Sequence, residues 1–421
     1  MPKAPVKDAS LDNWLGYLLA IHPTEIEMGL TRVSEVADRL KLRELPGTQV
    51  VTVAGTNGKG TTCAFIEQIL LASGLSVGVY SSPHMLHYNE RVRINGDDAA
   101  DSVLIEAFEA INSARNEISL SFFEFATLAG LYIFKAAAPD VILLEVGLGG
   151  RLDATNIIDA DICVVTSIDI DHQEYLGDTR DLVGREKAGI FRNSKPAIVG
   201  EPNMPDSIFD VAQEVGANIY RVNQAFNYRL DACSQTWKFN GQRLTLDNIP
   251  LPQLPLPNAA TALAVIEHGW PELSVDVIKK AIGEARLGGR LETVSQAPLI
   301  LLDVAHNPHA ARYLVSRLEV YKPKRLFALC GMLKDKDCTE VIQTLAPLVD
   351  HWSFTRLKTE RSASAEALRG ALTTQCDAHI YESVDLAWQA ISSEIHYEDM
   401  IIVFGSFYTV AEFKGLQIGM V

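Results

Sequence analysis

The sequence lacks the features that mark extracellular, membrane and nucleic-acid-binding proteins. Its six cysteines are scattered over 421 residues without a Cys-x-x-Cys pair, so neither a disulfide framework nor a zinc site is expected. Only 37 Lys and Arg face 53 Asp and Glu, and the net charge of -16 argues against affinity for nucleic acid or anionic membranes. No apolar run approaches a membrane span, and the first residues lack the apolar segment of a signal peptide. We therefore expect a cytoplasmic protein.

Apolar sequence, in contrast, is plentiful and is arranged as in an α/β fold. Hydrophobic residues make up 48% of the chain, which is enough to build a core in each of roughly two or three domains. Short apolar runs alternate with segments of helical spacing, which predicts mostly parallel sheets. We expect a first domain over residues 1–286, a hinge linker over 287–297, and a smaller Rossmann-like α/β domain over 298–421.

Several elements are predicted with definite positions. Ser10 and Thr31 are predicted to cap the first two helices, and residues 226–246 to form an antiparallel hairpin pair that turns at Asn240 and Gly241. The predicted strands of the first domain include residues 50–53, 76–80, 141–145 and 162–168. Those of the second lie near residues 299–303, 325–329, 351–354 and 400–404.

Residues 50–62, VVTVAGTNGKGTT, form the predicted centre of the protein, with a strand, a glycine-rich turn and a helix start. Gly55, Gly58 and Gly60 lack the Cβ that would keep the backbone away from a ligand, and Lys59 adds a positive charge. Amides at such a turn surround phosphate oxygens, so a phosphate-binding loop is predicted. The match is imperfect because Gly60 stands where the general pattern has Ser or Thr. The alternative is an ordinary glycine turn with a solvated lysine.

Polar residues follow the predicted strands beside this loop. The sequence SSPH at 81–84 follows one strand, Glu145 ends another, and His172 follows a third. Open α/β sheets bind ligands at the carboxyl ends of their strands, and the pairing of Glu145 with His172 there suggests a metal site. Each also has a structural alternative, which is a buried ion pair for Glu145 and a capped loop for His172.

A series of motifs resembles one family. They are GTNGKG at 55–60, SSPH at 81–84, EVGLGGRLDATN at 145–156, DH at 171–172, REKAGI at 185–190, PNAATA at 257–262, GGR at 288–290 and DVAHNPHA at 303–310. Together they resemble the folylpolyglutamate synthases, and most closely the bacterial members that are also dihydrofolate synthases. The related muramyl peptide ligases have Thr directly after the loop lysine, so Gly60 favours the folate branch.

The resemblance implies an ATP-dependent ligase that joins L-glutamate to dihydropteroate and to the γ-carboxylate of reduced folates. A carboxylate is a poor acylating agent, so ATP is expected to convert it into an acyl phosphate that the glutamate amino group attacks. The implied cofactors are ATP, two Mg²⁺ ions and a monovalent cation such as K⁺. The implied partners are these small molecules alone, bound by a monomer.

The resemblance also implies the site residues. The nucleotide-binding residues are Gly55, Thr56, Asn57, Gly58, Lys59, Gly60, Thr61, Asn258, Arg290 and Asp303. The metal ligands are Ser82, Glu145, His172 and, if it is carbamylated, Lys187. The catalytic residues are Lys59, Glu145, His172 and Lys187. The pterin-binding residues are Glu27, Met28, Ser121, Phe122, Phe123, Glu124, Leu152, Asp153 and Ala154. Weaker candidates for the ATP or glutamate site are His306, His309 and Ser406.

Several of these residues have ordinary structural alternatives. Ser82 could simply form a turn, and an unmodified Lys187 would pair with Glu186 or a phosphate. Asn258 could be a helix N-cap, and the two phenylalanines at 122–123 could be plain core.

Three other functions remain open at this point. A folylpolyglutamate synthase without dihydrofolate synthase activity would differ little in sequence. A muramyl-type ligase is disfavoured by the loop and by the lack of a preceding UDP-binding domain. A nucleotide-switched interaction protein would bind nucleotide tightly without glutamate-dependent release of ADP.

Overall fold

A computed structural model describes residues 3–6, 8–22, 24, 27–231, 235–373 and 376–417, with side chains up to residue 416. The chain divides into two compact units, Met1–Ala285 and Arg286–Val421. Within the described residues, none of the helices is both long and apolar enough to cross a membrane.

The first unit contains most of the elements. Its helices are α1 Leu11–Ala20, α2 Thr31–Arg39, α3 Lys59–Ala72, α4 Asp101–Arg115, α5 Phe122–Ala137, α6 Gln173–Leu176, α7 Arg180–Ala188, α8 Asp206–Val215, α9 Leu256–Gly269 and α10 Val275–Glu284. Its strands are β1 Gln49–Ala54, β2 Val77–Tyr80, β3 Val92–Ile94, β4 Asp97–Asp98, β5 Val141–Glu145, β6 Ile162–Val165, β7 Pro196–Val199, β8 Asn218–Arg221, β9 Asn227–Leu230, β10 Thr236–Asn240 and β11 Thr245–Pro250. Short 3-10 helices cover Tyr88–Arg91 and Ala154–Ile157.

Eight strands form one sheet in the order β4-β3-β2-β5-β1-β6-β7-β8. The strands from β2 to β8 in this order are parallel, whereas β3 and β4 are antiparallel at one edge. The β-branched run of β1 lies near the centre, with Val53 opposite Glu145 on β5 and Ala54 opposite Val165 on β6. The carboxyl ends of β1, β5 and β6 therefore meet at one edge, and the predicted α/β class with a mostly parallel sheet is confirmed.

Most predicted boundaries hold, and two differ for physical reasons. Ser10 caps α1, since its Oγ accepts a hydrogen bond from Asn13 N at 3.3 Å. Thr31, however, is the first residue of α2, with Leu30 in the cap position, so the predicted cap is wrong by one residue. Strand β6 ends at Val165 rather than at residue 168, because the two side chains that follow it bind the glycine-rich loop.

The predicted hairpin is confirmed and is part of a larger sheet. Strands β9, β10 and β11 form a three-stranded antiparallel sheet with β10 in the middle. Between β10 and β11 the chain turns just after Asn240, and Gly241 N donates to Leu244 O at 2.8 Å.

The second unit is a smaller α/β domain, as predicted. Its elements are β12 Glu292–Gln296, β13 Leu299–Asp303, α11 Pro308–Leu318, β14 Leu326–Cys330, α12 Cys338–Leu345, β15 His351–Thr355, α13 Ala365–Gly370, β16 Asp377–Tyr381, α14 Val384–Glu394, β17 Met400–Phe404 and α15 Phe407–Gln417. The sheet order is β12-β13-β17-β14-β15-β16, and every neighbouring pair except β12 with β13 is parallel.

Two features of this sheet differ from expectation. The segment 287–297, expected to be a linker, contains β12, which hydrogen-bonds to β13 along its length. Strand β16 was not predicted, because it is an edge strand with no fully buried residue and so has no apolar run.

The core of the first unit has an aromatic centre that permits a test of its packing. Phe108 on α4 is fully buried, and its ring centroid lies 5.7–6.0 Å from those of Trp14, Tyr88 and Phe125. We predict that Phe108→Ala lowers the free energy of unfolding by about 3–5 kcal/mol, because it removes ring contacts and leaves a cavity. Denaturant unfolding measures this change.

The matched control is Leu19→Ala, since Leu19 is 67% exposed and should change stability by less than about 0.5 kcal/mol. Equal effects of the two substitutions would contradict the assigned core.

Candidate active site

The glycine-rich loop joins the end of β1 to the start of α3. Gly58 is the N-cap of α3 with a φ of 85°, and a Cβ there would lie 2.6 Å from Asn258 Oδ1. A Cβ on Gly55, whose φ is 152°, would lie 1.9 Å from Thr166 Oγ1. Both positions therefore require glycine, because neither the backbone angle nor the space admits a side chain.

Residues just beyond β6 hold this loop in place. Thr166 Oγ1 donates to Asn57 O at 2.6 Å, and Ser167 Oγ accepts from Asn57 N at 3.0 Å. Thr56 Oγ1 donates to Asp169 O at 2.9 Å. We did not predict these anchors; the pair of small hydroxyl residues directly after an apolar strand was the available signal.

The start of α3 has the properties of an anion site. The N–H groups in the first turn of a helix have no acceptor within the helix. Those of Lys59, Gly60 and Thr61 can therefore donate hydrogen bonds to a phosphate. Lys59 Nζ bends back over the loop and donates to Gly55 O at 3.0 Å. The helix dipole and the ammonium group thus favour negative charge at the same place.

Asn258 reaches this loop from α9. It is the third residue of that helix, whose N-cap is Pro255, so the N-cap alternative for Asn258 is wrong. Its carboxamide instead lies against Gly58, as the close approach to a Cβ there shows.

The expected metal ligands lie at or after the carboxyl ends of β2, β5 and β6, of which β2 and β5 are neighbours and β1 lies between β5 and β6. Glu145 is buried at the end of β5, and a Cβ on Gly60 would lie 3.3 Å from its Oε2. Ser82 follows β2, which pairs with β5. His172 has a φ of 51° and caps the short helix α6, with its Nε2 4.0 Å from Asp171 Oδ2.

Among the described residues, no three His, Cys, Asp or Glu side chains cluster in a way that could hold a metal. Only two members of the expected set, Glu145 and His172, are of these types. The metal site therefore stays a prediction, and the observation in its favour is the buried carboxylate beside the first turn of α3.

Lys187 on α7 is buried, with 4% of its surface exposed. The pKa of Lys187 is lowered to about 7, first by burial and then by the charge of Lys59, while Asp171 and Asp153 oppose the shift. The alternative partner Glu186 pairs with Arg151 instead, at 2.8 Å. Lys187 is thus a buried amine within electrostatic reach of the loop lysine.

Asp153 organises the glycine-rich segment that follows β5. Its Oδ2 accepts from Gly147 N at 3.0 Å and Leu148 N at 2.9 Å, and its Oδ1 accepts from Thr155 N and Oγ1 at 3.0 and 2.6 Å. Burial raises the pKa of Asp153 above its usual value, although these hydrogen bonds lower it. Both carboxylate oxygens of Asp153 are therefore hydrogen-bonded within this segment. Its expected contact with the pterin, like those of half-buried Leu152 and buried Ala154, stays a prediction.

Ser121 and Glu124 form a capping box at the start of α5. Ser121 N donates to Glu124 Oε2 at 2.8 Å, and Glu124 N donates to Ser121 Oγ at 3.3 Å. Both residues are buried, and Glu124 also pairs with Arg32 at 3.1 Å. Their contacts in this structure stabilise the start of α5, and their expected contacts with the pterin stay a prediction.

The two phenylalanines lie between these segments. The Arg91 guanidinium lies 5.3 Å from the ring centroid of Phe122. A Cβ on Gly147 would lie 2.6 Å from the Phe123 ring, so that ring packs on the backbone after β5. Both rings are only partly buried, which leaves surface for a flat ligand.

The expected pterin residues at 27 and 28 approach the same region. Met28 Cε would lie 3.7 Å from a Cβ on Gly149. Glu27 is hydrogen-bonded to His22 Nε2 at 2.8 Å and pairs with Arg32, which links it to Glu124. His22 and Arg32 begin and end the segment 22–32 that the resemblance implies for pterin binding, but they were not singled out as site residues.

In the second unit, Arg290 and Asp303 lie close together. Asp303 ends β13 and accepts from Leu291 N at 2.9 Å and Ala305 N at 2.8 Å. Burial raises the pKa of Asp303 above its usual value, although Arg290 lowers it. The Arg290 guanidinium lies 5.2 Å from the centroid of the Phe407 ring.

The weaker candidates of this unit have local contacts. His306 Nδ1 lies 2.8 Å from Val304 O, and His309 is exposed. Ser406 is buried, and its Oγ accepts from Thr409 N at 3.0 Å at the start of α15. Their role in ATP or glutamate binding stays a prediction.

Comparisons with known proteins agree with this architecture. A Mur ligase middle domain matches residues 53–247, and a Mur ligase glutamate ligase domain matches residues 289–407. The dihydrofolate synthase/folylpolyglutamate synthase of Escherichia coli K12 is 49% identical over 410 residues, which are 97% of this chain and 96% of the relative. This chain belongs to the dihydrofolate synthase/folylpolyglutamate synthase family. It is an ATP-dependent ligase, and the resemblance drawn from the motifs is confirmed.

Solved structures of this family superpose closely on the chain. E. coli FolC in complex with DHPP and ADP has a TM-score of 0.94 and 48% identity, with all of both chains covered. A bifunctional folylpolyglutamate synthase/dihydrofolate synthase with Mn, AMPPNP and L-glutamate bound has a TM-score of 0.92 and 46% identity, covering 99% of this chain and 100% of that one.

The buried amine of Lys187 predicts a dependence of stability on pH. Its folded pKa of about 7 lies below the ordinary value of 10.5. Between these values the unfolded chain binds more protons, so raising the pH from 7 to 10 favours the folded state. One pKa unit corresponds to about 1.36 kcal/mol. We therefore predict that, between pH 7 and pH 10, the free energy of unfolding of the wild type rises by about 3 kcal/mol relative to that of Lys187→Met.

Denaturant unfolding of both proteins at several pH values measures the difference, and subtracting the variant removes the contribution of other titrating groups. If the free energies of unfolding of the wild type and of Lys187→Met changed in parallel with pH, Lys187 would not be an uncharged buried amine.

Proposed function

We propose that this protein joins L-glutamate to dihydropteroate and then to the γ-carboxylate of reduced folates, in the cytoplasm and as a monomer. The observation that carries the proposal is the match over the whole chain to a bifunctional relative whose solved structure holds DHPP and ADP. The alternative is a folylpolyglutamate synthase that lacks the first activity.

ATP would bind with its β- and γ-phosphates at the start of α3. The backbone N–H groups of residues 58–61 and the Lys59 ammonium would donate hydrogen bonds to the phosphate oxygens, and Asn258 would contact the nucleotide beside Gly58. A loop held rigid by Thr166 and Ser167 suits this task, because preorganised donors need no rearrangement as charge develops. The assignments of Thr56, Asn57, Arg290 and Asp303 to nucleotide binding belong to the same proposal.

The proposed cofactors also include two Mg²⁺ ions and a monovalent cation such as K⁺. Ser82, Glu145 and His172 would hold one Mg²⁺ ion, which when bound offsets the charge of the migrating phosphoryl group. A related structure contains Mn with AMPPNP, which supports a divalent ion near the nucleotide. The buried Glu145 carboxylate is the hard oxygen ligand that such ions prefer.

Lys187 would carry a carboxylate in its modified form. A neutral amine can attack CO₂ through its lone pair, and loss of a proton then leaves a carbamate anion on Nζ. The pKa of about 7 keeps a large fraction of Lys187 neutral at physiological pH. The carbamate would bind the second Mg²⁺ ion, whereas an ammonium group would repel it.

The pterin would lie among the segments around residues 27–28, 121–124 and 152–154. The partly buried rings of Phe122 and Phe123 offer a flat apolar surface, and Met28 lies near Gly149 on the other side of the segment. The capping box at Ser121 and the hydrogen-bonded carboxylate of Asp153 would stabilise the conformation of the segments that form this surface.

We predict that Lys59→Ala lowers the rate of glutamate-dependent ADP release by at least about 100-fold, because it removes a preorganised charge from the transferring phosphate. The fold should be unchanged, and circular dichroism and the melting temperature check this. The matched control is Lys195→Ala, since Lys195 pairs with Asp161 in an exposed position on the same unit. Normal turnover in Lys59→Ala would refute the role of the loop.

A side-by-side assay separates the two candidate functions. We predict that radiolabelled glutamate is incorporated with either dihydropteroate or tetrahydrofolate as acceptor, at rates within about tenfold, since both acceptors present a carboxylate to the same chemistry. Incorporation with tetrahydrofolate alone would select the monofunctional alternative. If glutamate were incorporated with neither acceptor in the presence of ATP and Mg²⁺, the proposed function would be wrong.

A further inference from the structure

A buried ion pair connects helix α3 to the sheet edge that carries Ser82. Arg93 on β3 donates from its terminal nitrogen to Glu67 Oε2 at 2.8 Å and from Nε to Glu67 Oε1 at 3.3 Å. The side chains are only 17% and 10% exposed, respectively. This is a two-bond arginine-carboxylate pair between the nucleotide-binding helix and β3, the second strand from one edge of the sheet, and the assigned chemistry does not use it.

The same arginine reaches the segment after β2. Its NH1 donates to Ser81 Oγ and to Glu90 O, both at 3.3 Å. Ser81 is the residue directly before Ser82 in the chain. Arg93 therefore touches both α3, through Glu67, and the backbone neighbour of the expected metal ligand.

Glu90 shapes the rest of this segment, which we call the Ser82 loop and define as residues 81–87. The Glu90 carboxylate accepts hydrogen bonds from the backbone N–H groups of Met85, Leu86 and His87 at 2.6, 2.7 and 2.8 Å. The loop is thus compact in itself. Arg93 is the side chain that joins it to α3 through a bonded carboxylate.

The face of α3 that carries Glu67 also carries the start of the nucleotide site. Gly60, Cys63 and Glu67 are spaced at i, i+3 and i+7, so they share one face of the helix. Gly60 lies against Glu145, and the pKa of the Cys63 thiol, raised first by burial, responds to Glu145, Arg93 and Glu67. The ion pair and the expected metal-binding carboxylate therefore border the same helix face.

The energetics of such pairs argue for a role beyond stability. Removing two charges from water is costly, and replacing a buried pair by apolar residues of similar size often leaves stability equal or higher. Packing alone could therefore join α3 to β3 without Glu67 and Arg93. What the fork of hydrogen bonds adds is a fixed distance and direction between the helix and the Ser82 loop.

We propose that Glu67 and Arg93 are positioning residues that fix the Ser82 loop against α3, so that the Ser82 hydroxyl is held in the position that metal binding requires. The inference rests on the proposed function, because Ser82 acts there as a ligand of the nucleotide-associated Mg²⁺ ion. It extends that function by naming what holds the ligand in place. Neither residue belongs to the expected catalytic or binding set.

The test measures the Mg²⁺ dependence of ADP binding by isothermal titration calorimetry, together with melting temperature. The variants are Glu67→Gln, Arg93→Met and the apolar double variant Glu67→Met/Arg93→Met. Ser82→Ala is the reference for loss of the ligand itself. The control is Glu214→Gln, which removes one partner of the exposed Arg185–Glu214 pair in the same unit.

We expect the pair variants and Ser82→Ala to raise the Mg²⁺ concentration at half-maximal enhancement of ADP binding by about tenfold, as is typical for groups that support a metal ligand. ADP affinity without Mg²⁺ and the behaviour of Glu214→Gln should match the wild type. The double variant should melt close to the wild type yet keep the raised Mg²⁺ requirement, which a purely structural pair would not produce.

Two results overturn the inference in different ways. If Ser82→Ala raises the Mg²⁺ requirement and the double variant does not, the pair is structural and the proposed function stands. If Ser82→Ala itself leaves the requirement unchanged, the role of Ser82 in the proposed function fails, and the positioning role fails with it. Should Arg93→Met not fold, the double variant and Glu67→Gln decide the question alone.

Discussion

The close approach of two polar side chains to a backbone without Cβ atoms is the constraint on which the candidate site depends. At Gly58 the neighbour is the carboxamide of Asn258, and at Gly55 it is the hydroxyl of Thr166. These contacts hold the loop in backbone conformations that L-residues rarely adopt. With the loop fixed, the first-turn amides of α3 and Lys59 converge on one point, and the rest of the first unit supports that convergence.

Parallel strand order turns this local constraint into a site. Because β1 lies between β5 and β6, Glu145 at the end of β5 and Thr166 after β6 lie on either side of the loop that follows β1. The same region of the first unit contains three buried ionisable groups, Glu145, Asp153 and Lys187, each of which would be costly to bury as an isolated charge. Burial raises the pKa of Asp153 and lowers that of Lys187, and Asp153 partly opposes the shift at Lys187. Perturbed pKa values of this kind are common in catalytic sites.

The second unit shows the same principle with different residues. Asp303 ends β13 and accepts two backbone hydrogen bonds, one of them from Leu291, which has an unusual φ of 46°. Glu292 accepts from Gly289 N at 2.7 Å and pairs with Lys414 at 2.9 Å. The backbone around Arg290 is thus fixed on both sides. A strained segment held by several independent bonds is a common sign of a functional position.

Local features of the sequence were enough to predict the class of fold, the glycine-rich loop and the family, because glycine spacing, apolar alternation and motif order are readable within short windows. The edge strand β16 escaped prediction because it has no apolar run. The anchors Thr166 and Ser167 escaped it because their partner, Asn57, is distant in the chain. Only the tertiary structure decided what individual side chains do. It placed Asn258 on Gly58 and used both oxygens of Asp153 within its own loop. It also paired Glu186 with Arg151 and left Lys187 a buried amine. The physical reason is that solvation and partners come from segments distant in the chain, and these are set by packing.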